Sequence, residues 1–318
     1  MLRSLGKTAL QLEPLVLGGN VFGWTIDEKR SFELLDAYVD AGFSAIDTAD
    51  SYSTWVPGHE GGESEAVIGN WLRANPGKRQ KVLLFTKVGS DMGGGRKGLS
   101  ARWIERAVED SLRRLQTEVI DLYQSHWPDP ETPIEETLGA FEKLLRAGKV
   151  RAIGASNLDA AQLRHALDVA QERRLPPYAT LQPEYNLYDR QGFEGALRDL
   201  CLKEGLGVIT YFSLASGFLS GKYRSKADFS KSARGAGMSK YLNARGERIL
   251  KALDDVGARQ AAAPAEVALA WVIAQPGVTA PIASATDQTQ LASLIKATRL
   301  RLSEEDVRVL NAASAPAD

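Results

Sequence analysis

The sequence alternates short β-branched runs with amphipathic helical stretches eight times along its 318 residues. Helical periodicity directly follows seven of the eight runs. Strands that are repeatedly joined through helices must be parallel, and a parallel sheet needs both of its faces covered. Eight such units therefore predict a closed (β/α)₈ barrel rather than an open sheet. The predicted barrel strands are residues 15–17, 43–47, 82–87, 120–125, 150–155, 180–182, 207–211 and 278–282.

Three segments are additions to this plain barrel. Residues 2–12 alternate apolar and polar side chains, which predicts a short β-hairpin that covers the bottom of the barrel. A long insertion follows the seventh strand, and its Gly/Ser/Lys/Arg-rich part, residues 224–240, has so little apolar content that we predict a mobile loop. Extra helices are expected at the C-terminal end. Because no Pro/Ser-rich linker divides the chain, we expect residues 1–318 to form one domain.

Capping signals mark several helix boundaries. The run Thr132-Pro133-Ile134-Glu135 predicts a capping box with Thr132 as the N-cap and Glu135 at the third helical position. Asp27 and Ser303 are further predicted N-caps. The glycines predicted to end helices are Gly42, Gly148 and Gly205.

Composition excludes several classes of protein. With 39 Lys+Arg against 40 Asp+Glu, the chain lacks the basic excess that is typical of nucleic-acid binders. Cys201 is the only cysteine, so an intramolecular disulfide is impossible. The N-terminus has no apolar segment of signal-peptide length, and the longest apolar run, residues 267–274, is too short to span a bilayer. We expect a cytoplasmic protein that binds neither nucleic acid nor membranes.

Polar or aromatic residues stand at or just after every predicted strand end, where a (β/α)₈ barrel has its active site. Loops are polar in any protein, so one such residue means little, and the inference depends on the combination of residue types. These residues are Asn20, Asp47, Lys87, His126, Ser156, Asn157, Gln182, Tyr211 and Ser284.

Tyr52, Lys87, Asp47 and His126 together suit one reaction, the protonation of a carbonyl oxygen. Tyrosine has a pKa near 10 and is a poor acid at neutral pH. A lysine ammonium about 4 Å away, at an effective dielectric of about 20, contributes on the order of 4 kcal/mol, so we expect it to lower the pKa of the phenol. An aspartate would keep that lysine charged, and a histidine could hydrogen-bond the substrate oxygen.

The runs that carry these residues resemble the aldo-keto reductase family. The first is Asp47-Thr48-Ala49-Asp50-Ser51-Tyr52, followed by Thr86-Lys87, Ser125-His126 and Gly154-Ala155-Ser156-Asn157. The resemblance continues through Leu181-Gln182-Pro183-Glu184-Tyr185-Asn186 and Tyr211-Phe212-Ser213-Leu214-Ala215-Ser216-Gly217. It covers essentially the whole chain in order, and it implies the same (β/α)₈ barrel. It further implies that Tyr52 is the general acid, Lys87 its partner, Asp47 the counter-ion of Lys87, and His126 the group that orients the carbonyl.

The resemblance also implies a site for NADP(H). Ser156, Asn157 and Gln182 match positions that bind the nicotinamide carboxamide, and Tyr211 matches the aromatic ring on which the nicotinamide stacks. A second set matches the segments that hold the pyrophosphate and the adenine end of the cofactor. It comprises Phe212, Ser213, Leu214, Ser216, Gly217 and Lys222, then Ser284, Thr286 and Gln290, with Asn20, Val21 and Asp47 also expected at the cofactor.

Two departures from the family pattern affect cofactor binding. Phe212 stands where many relatives have a serine, so a hydroxyl contact is lost. Ser284 stands where many have Lys or Arg, and Ser293-Leu294 replaces a Glu-Asn pair that clamps adenine. The charge-assisted contact with the 2′-phosphate is therefore weaker unless Arg234 supplies it. We expect NADP(H), and NAD(H) stays open.

Four aromatic residues in loops on the catalytic face predict an apolar wall that favours hydrophobic or aromatic carbonyl substrates. They are Phe22, Trp24, Trp55 and Trp127. The run Met92-Gly93-Gly94-Gly95-Arg96 lacks the ending of a phosphate-binding loop, so a flexible loop beside the substrate pocket is favoured. The three histidines have no metal-ligand spacing, and no metal is expected.

The sequence thus predicts an NADP-dependent alcohol dehydrogenase or carbonyl reductase that reduces aldehydes or ketones. The alternative is a cofactor-binding regulatory subunit of the same fold with little turnover, similar to channel β-subunits. A (β/α)₈ hydrolase or isomerase is disfavoured, because metal ligands and paired catalytic carboxylates are missing from the pattern. The sequence leaves the physiological substrate, the reaction direction and the oligomeric state open.

Overall fold

Eight parallel strands close into a barrel at the centre of the computed structural model, which describes residues 2–315. Each strand pairs with the next along the chain, and the last pairs with the first. The predicted (β/α)₈ barrel is therefore confirmed, and the predicted strand ends differ from the observed ones by at most two residues. The barrel strands are β3 (Val16–Gly18), β4 (Ala45–Asp47), β5 (Leu83–Val88), β6 (Ile120–Ser125), β7 (Val150–Ser156), β8 (Thr180–Gln182), β9 (Gly207–Thr210) and β10 (Val278–Ala283).

Helices cover the outside of the barrel. They are α1 (Glu28–Asp40), α2 (Glu63–Ala74), α3 (Ala101–Leu115), α4 (Ile134–Arg146), α5 (Ala160–Arg173), α6 (Ala196–Glu204), α7 (Ala244–Gln260), α8 (Pro264–Ala274), α9 (Gln288–Ala297) and α10 (Glu304–Ser314). The apolar run 267–274 lies in α8, where residues 266–273 are all buried. Extra helices α7 and α10 pack on each other and are joined by an ion pair of 2.7 Å between Arg259 and Asp306. Within residues 2–315, none of the helices has both the length and the apolar surface that crossing a membrane requires.

The predicted N-caps of α1 and α10 are confirmed, but the predicted capping box of α4 is wrong. Asp27 accepts a hydrogen bond from the backbone N–H of Arg30, and Ser303 from that of Asp306. Helix α4 instead begins at Ile134 without a side-chain cap. The Thr132 hydroxyl is engaged elsewhere, because it donates to Asp129 Oδ2 at 2.7 Å.

The predicted hairpin is present and closes the bottom of the barrel. Strands β1 (Arg3–Ser4) and β2 (Gln11–Leu12) pair antiparallel. Leu5, Leu10 and Leu12 are buried in the same cluster as side chains from the barrel strands. Gly6, in the hairpin turn at φ +58°, lies so close to the start of β9 that a Cβ atom there would be 2.4 Å from Gly207 N. Glycine is required here by both the backbone conformation and the close approach.

The insertion after β9 is more ordered than the sequence indicated. Residues 224–240 were expected to be a mobile loop with too little apolar content to pack firmly, but 3₁₀-helices cover Lys226–Lys231 and Gly235–Tyr241. Met238 and Tyr241 are buried in the main core cluster, and a Cβ at Gly235 would be 1.7 Å from Phe229 O. A few well-spaced apolar residues anchor the segment, although its average composition is polar.

We expect Gly6→Ala to lower the free energy of unfolding by about 2–5 kcal/mol, because it combines an unfavourable positive φ with overpacking. The matched control is Gly148→Ala. Gly148 also has a positive φ of +69°, but no atom lies within 4 Å of a Cβ built there. The control should lower the free energy of unfolding by only about 1–2 kcal/mol, which is the backbone penalty for a positive φ. Equal losses in urea denaturation would contradict the close contact between hairpin and barrel.

Candidate active site

Consecutive barrel strands bring Asp47, Lys87 and His126 to one end of the barrel. Asp47 is the last residue of β4, Lys87 lies near the end of β5, and His126 directly follows β6. In the parallel register, Asp47 is paired with Phe85, and Lys87 with Gln124. Tyr52 comes from the loop after β4. All four lie at the carboxyl ends of the strands, where barrel enzymes carry their active sites.

The Lys87 ammonium is the centre of this group. It is fully buried and donates three hydrogen bonds: to Asp47 Oδ2 at 2.7 Å, to the Thr48 carbonyl at 2.7 Å and to the Tyr52 hydroxyl at 2.9 Å. An ammonium has three N–H donors, so all of them are engaged. Because the Tyr52 oxygen accepts from Lys87, its own proton is available, and it points to Asp47 Oδ2 at a long 3.3 Å.

The expectation that Lys87 holds the pKa of Tyr52 below its ordinary value is wrong, although the ammonium itself favours the phenolate. Burial, followed by the Asp47 carboxylate, raises the pKa of Tyr52 well above 10. Burial is the larger cause, and the negative charge of Asp47, which contacts both Lys87 and Tyr52, adds to it. Burial also lowers the pKa of Lys87, while Asp47 opposes that shift. Tyr52 is therefore a protonated phenol at neutral pH, which is the form that can give a proton away.

Two serines that the sequence reasoning missed contact His126. Ser90 Oγ lies 2.8 Å from Nδ1 of the imidazole, and Ser51 Oγ lies 3.4 Å from the same atom. Burial, followed by the positive charge of Lys87, lowers the pKa of His126 well below 6.5. Ser51 stands within the recognised motif and Ser90 three residues after Lys87, but neither position carries a periodic signal that would have marked it.

Amide and hydroxyl side chains from the ends of β7, β8 and β9 form a connected group beside the tetrad. Ser156 Oγ donates to the Gln182 carbonyl at 2.7 Å, and Asn157 Nδ2 donates to Ser156 Oγ at 3.1 Å. The Tyr211 hydroxyl donates to Asn157 Oδ1 at 2.7 Å. Gln182 Nε2 donates to Asp47 Oδ1 at 3.0 Å, which connects this group to the tetrad. The residues predicted to meet the nicotinamide are thus brought together.

The chain after β9 turns through several left-handed conformations. Positive φ values occur at Phe212, Ala215, Ser216 and Gly217. Such turns can form concave sites that suit anions, although the N–H groups of Ala215 and Gly217 here donate to the Phe212 and Leu214 carbonyls. A Cβ at Gly217 would be 3.7 Å from Nζ of Lys222, so a cation lies beside the turn. Ser213 is buried, and its hydroxyl donates to the Thr210 carbonyl, while Leu214 packs partly against the core. The residues predicted to meet the pyrophosphate thus lie in one turn, with Lys222 beside it.

The ends of β3 and β10 meet at the predicted adenine side. Ser284 Oγ donates to Asn20 Oδ1 at 2.7 Å, and the neighbouring Val21 is buried. Gln290 Oε1 accepts from the Thr286 backbone N–H at 3.0 Å. Gln290 Nε2 donates to Asp287 Oδ2 at 2.6 Å. Asp287 is the only charged residue in the segment 284–290, so this segment offers no cation to a 2′-phosphate.

Aromatic rings border the mouth of the site, but Phe22 is not one of them. Trp55 and Trp127 are each 49% exposed, and the Trp24 ring meets the Trp55 ring edge-on with centroids 5.4 Å apart. Phe22 was expected in this wall, yet it is fully buried in the core and has no free face for a substrate. The Arg234 guanidinium lies 5.3 Å from the centroid of the Trp24 ring. It thus lies at the catalytic mouth, and its predicted contact with a 2′-phosphate stays a prediction.

A metal centre does not form in the part of the chain that the structure describes. No group of three or more His, Cys, Asp or Glu side chains among residues 2–315 is arranged to hold a metal ion.

Comparison with known proteins supports the resemblance seen in the motifs. The model of the Aldo/keto reductase family matches residues 14–315. The chain is 38% identical over 316 residues to the uncharacterized oxidoreductase YrpG of Bacillus subtilis, covering 96% of this chain and 94% of that protein. It is 35% identical over 302 residues to the aldo-keto reductase YhdN of the same species, covering 93% of this chain and 86% of that protein. A probable voltage-gated potassium channel subunit beta of rice, Oryza sativa, is 32% identical over 304 residues, covering 93% and 90%.

The lowered pKa of His126 predicts a loss of stability in mild acid. Below pH 6.5 the unfolded chain binds a proton at this histidine and the folded protein does not, so the free energy of unfolding falls as the pH falls. The free energy of unfolding of His126→Gln should therefore fall less between pH 7 and pH 5 than that of the wild type. The difference between the two is at most about 1.4 kcal/mol per pH unit. Denaturant titrations at both pH values measure this. The control is His165→Gln, which replaces an exposed histidine of α5, and an acid response of His126→Gln equal to that of the wild type would refute the prediction.

Proposed function

This chain belongs to the aldo/keto reductase family of oxidoreductases, and on that premise we propose that it is an NAD(P)H-dependent carbonyl reductase that converts aldehydes or ketones to alcohols. One observation carries the proposal. A buried ammonium, that of Lys87, holds the Tyr52 hydroxyl at 2.9 Å and the Asp47 carboxylate at 2.7 Å. This arrangement suits a phenol that gives up its proton at an enclosed site.

Tyr52 is the proposed proton donor to the carbonyl oxygen. When the oxygen takes the Tyr52 proton, the phenolate left behind stays next to the Lys87 ammonium, which stabilises it. Asp47 keeps Lys87 oriented, and His126 lies near Tyr52, with ring centroids 6.1 Å apart, where it can hydrogen-bond the same carbonyl oxygen. A bound nicotinamide cofactor would supply the hydride to the carbonyl carbon.

The residues present fit a dinucleotide. Ser156, Asn157 and Gln182 would hold the carboxamide of the nicotinamide, with the Tyr211 ring against its face. The left-handed turn of residues 212–217 and the nearby Lys222 would hold the phosphates. Asn20, Val21, Ser284, Thr286 and Gln290 would lie at the adenosine end, and Arg234 remains the available cation from the insertion. We propose NADP(H) as the cofactor, with NAD(H) as the alternative.

Apolar or aromatic carbonyl compounds are the proposed substrates. Trp24, Trp55 and Trp127 present rings around the mouth, and Tyr52 is 6.1 Å from Trp55 between ring centroids. Rings in this position bind flat apolar groups with little loss of side-chain entropy. The proposed site lies on a single chain.

A second function is supported by one comparison, the 32% identity to the rice protein described as a probable channel subunit beta. A regulatory subunit would bind the cofactor tightly and turn over carbonyls negligibly. The assembled tetrad favours the reductase, since a purely regulatory role does not need a buried ammonium on a phenol. Turnover of NADPH with a panel of aromatic aldehydes separates the two functions.

Tyr52→Phe should lower kcat for an aromatic aldehyde by about 10²–10⁴-fold, because it removes the positioned acid. Cofactor binding, followed by quenching of tryptophan fluorescence, should be unchanged. The matched control is Tyr178→Phe, which also removes a buried hydroxyl but one that is bonded to Ser125. Retention of most of the turnover in Tyr52→Phe would show that another group is the acid.

The charge pattern of residues 284–290 predicts weak discrimination between NADPH and NADH. A hydrogen bond to a charged group contributes about 1.5–3 kcal/mol, or roughly 10- to 100-fold in affinity, and the segment lacks a cation to make one. The dissociation constant for NADH divided by that for NADPH should therefore be below about 10. The variant Thr286→Arg should raise this ratio by roughly 10-fold or more. Gln171→Arg, which adds the same charge on the distant helix α5, should leave the ratio as it is. A strong NADPH preference in the wild type that disappears in Arg234→Gln would instead assign the 2′-phosphate to Arg234.

A further inference from the structure

Two serine hydroxyls converge on one nitrogen of His126. Ser90, two residues after the end of β5, lies 2.8 Å from Nδ1, and Ser51, from the loop after β4, lies 3.4 Å from it. No side chain or carbonyl of residues 2–315 makes a hydrogen bond with Nε2, the other ring nitrogen. The imidazole is therefore bonded on one side only.

The donors and acceptors at Nδ1 decide where the imidazole proton lies. Ser51 is only 7% exposed, and within the described part of the chain its hydroxyl has no hydrogen-bond partner other than this nitrogen. Each serine brings one O–H donor, and a neutral imidazole has one nitrogen with a lone pair and one with a proton. If Nδ1 carried the proton, the buried Ser51 hydroxyl would have no acceptor, which is unfavourable for a group removed from water. If Nδ1 instead carries a lone pair, it can accept a hydrogen bond from the Ser90 hydroxyl and a longer one from the Ser51 hydroxyl.

The surroundings keep the ring neutral and fix its place. Burial, followed by the positive charge of Lys87, lowers the pKa of His126 and so opposes a second proton on the ring. The backbone is held on both sides, because His126 N donates to the Val88 carbonyl at 2.8 Å and Asn157 Nδ2 donates to the His126 carbonyl at 2.9 Å. The Trp127 ring lies nearly parallel to the imidazole, at an interplanar angle of 18°. These contacts hold the backbone of His126 and one face of its ring, and the two serines hold Nδ1.

We propose that Ser90, assisted by Ser51, is a positioning residue that holds His126 in the neutral tautomer with its proton on Nε2. The Nε2–H group can then donate to the carbonyl oxygen of a substrate while Tyr52 supplies the proton that is transferred. In the opposite tautomer, Nε2 would present a lone pair to the lone pairs of that oxygen, and the two would repel each other. The catalytic consequence rests on the proposed carbonyl reduction, whereas the tautomer itself does not.

Nitrogen-15 NMR of the ligand-free protein tests the tautomer directly. The chain has three histidines, so the spectrum is simple, and His126→Gln assigns the signals of interest. In the wild type at pH 7.5, we expect His126 to show a protonated Nε2 and a bare Nδ1. Ser90→Ala should shift the population toward a proton on Nδ1, the double variant Ser51→Ala/Ser90→Ala should shift it further, and Ser90→Thr, which keeps the hydroxyl, should restore the wild-type pattern.

Unchanged signals of His59 and His165 report that each variant is folded, and Ser239→Ala, at an exposed serine, is the matched control. A wild-type proton on Nδ1, or a double variant whose His126 signals match the wild type, would overturn the proposal.

Kinetics measure the catalytic consequence separately. Loss of one hydrogen bond of about 0.5–1.5 kcal/mol should lower kcat of Ser90→Ala by roughly 2- to 12-fold. KM should change little, because the bond from His126 strengthens as the oxygen gains charge. If NMR shows the expected tautomers but the wild type reduces no carbonyl compound, the proposed function fails and the positioning by Ser90 stands. If carbonyl reduction proceeds and Ser90→Ala alters neither kcat nor the tautomer, the positioning role fails and the proposed function stands.

Discussion

The buried ammonium of Lys87 is the interaction on which the rest of the site depends. Its three hydrogen bonds join the end of β4, the loop that carries Tyr52 and the strand β5 in one place. A lysine without exposure is tolerated only when it is paired, and Asp47 supplies the pairing charge. The same aspartate accepts a hydrogen bond from Gln182 across the barrel. The arrangement of Tyr52, Lys87 and Gln182 therefore follows from satisfying one buried charge.

Local groups, rather than overall charge, must account for any binding of a polyanionic cofactor. The chain has a net charge of −1, so it has no long-range attraction for phosphates. The turn of residues 212–217, Lys222 beside Gly217 and Arg234 over Trp24 are the groups that can act locally. At the adenosine end the segment 284–290 carries only the negative charge of Asp287. This contrast explains why the cofactor type is harder to infer than the reaction class.

Prediction from sequence succeeded where a local pattern has one physical outcome. Alternating strands and helices specified the barrel, and Asp27 and Ser303 cap their helices as the pattern indicates. It was wrong where a side chain has a competing contact that the local pattern does not show. Thr132 gives its hydroxyl to Asp129 instead of capping α4, and Phe22 enters the core although it lies in a loop. Residues 224–240 look like a mobile loop by composition, yet Met238 is buried, because burial depends on what lies opposite and not on average polarity.

The sequence by itself determined the fold class, and it places the candidate site residues at the ends of the strands. Eight parallel strands connected by helices favour a closed barrel over an open sheet, and polar side chains after the strand ends then share one face. Only the tertiary structure decided the ionisation and orientation of those residues. The pKa of Tyr52 is raised because burial and, after it, the Asp47 carboxylate both act on the phenol. The contact of Ser90 with Nδ1 of His126 joins residues 36 positions apart, and hydrogen bonds of that kind depend on three-dimensional distances that no sequence spacing contains.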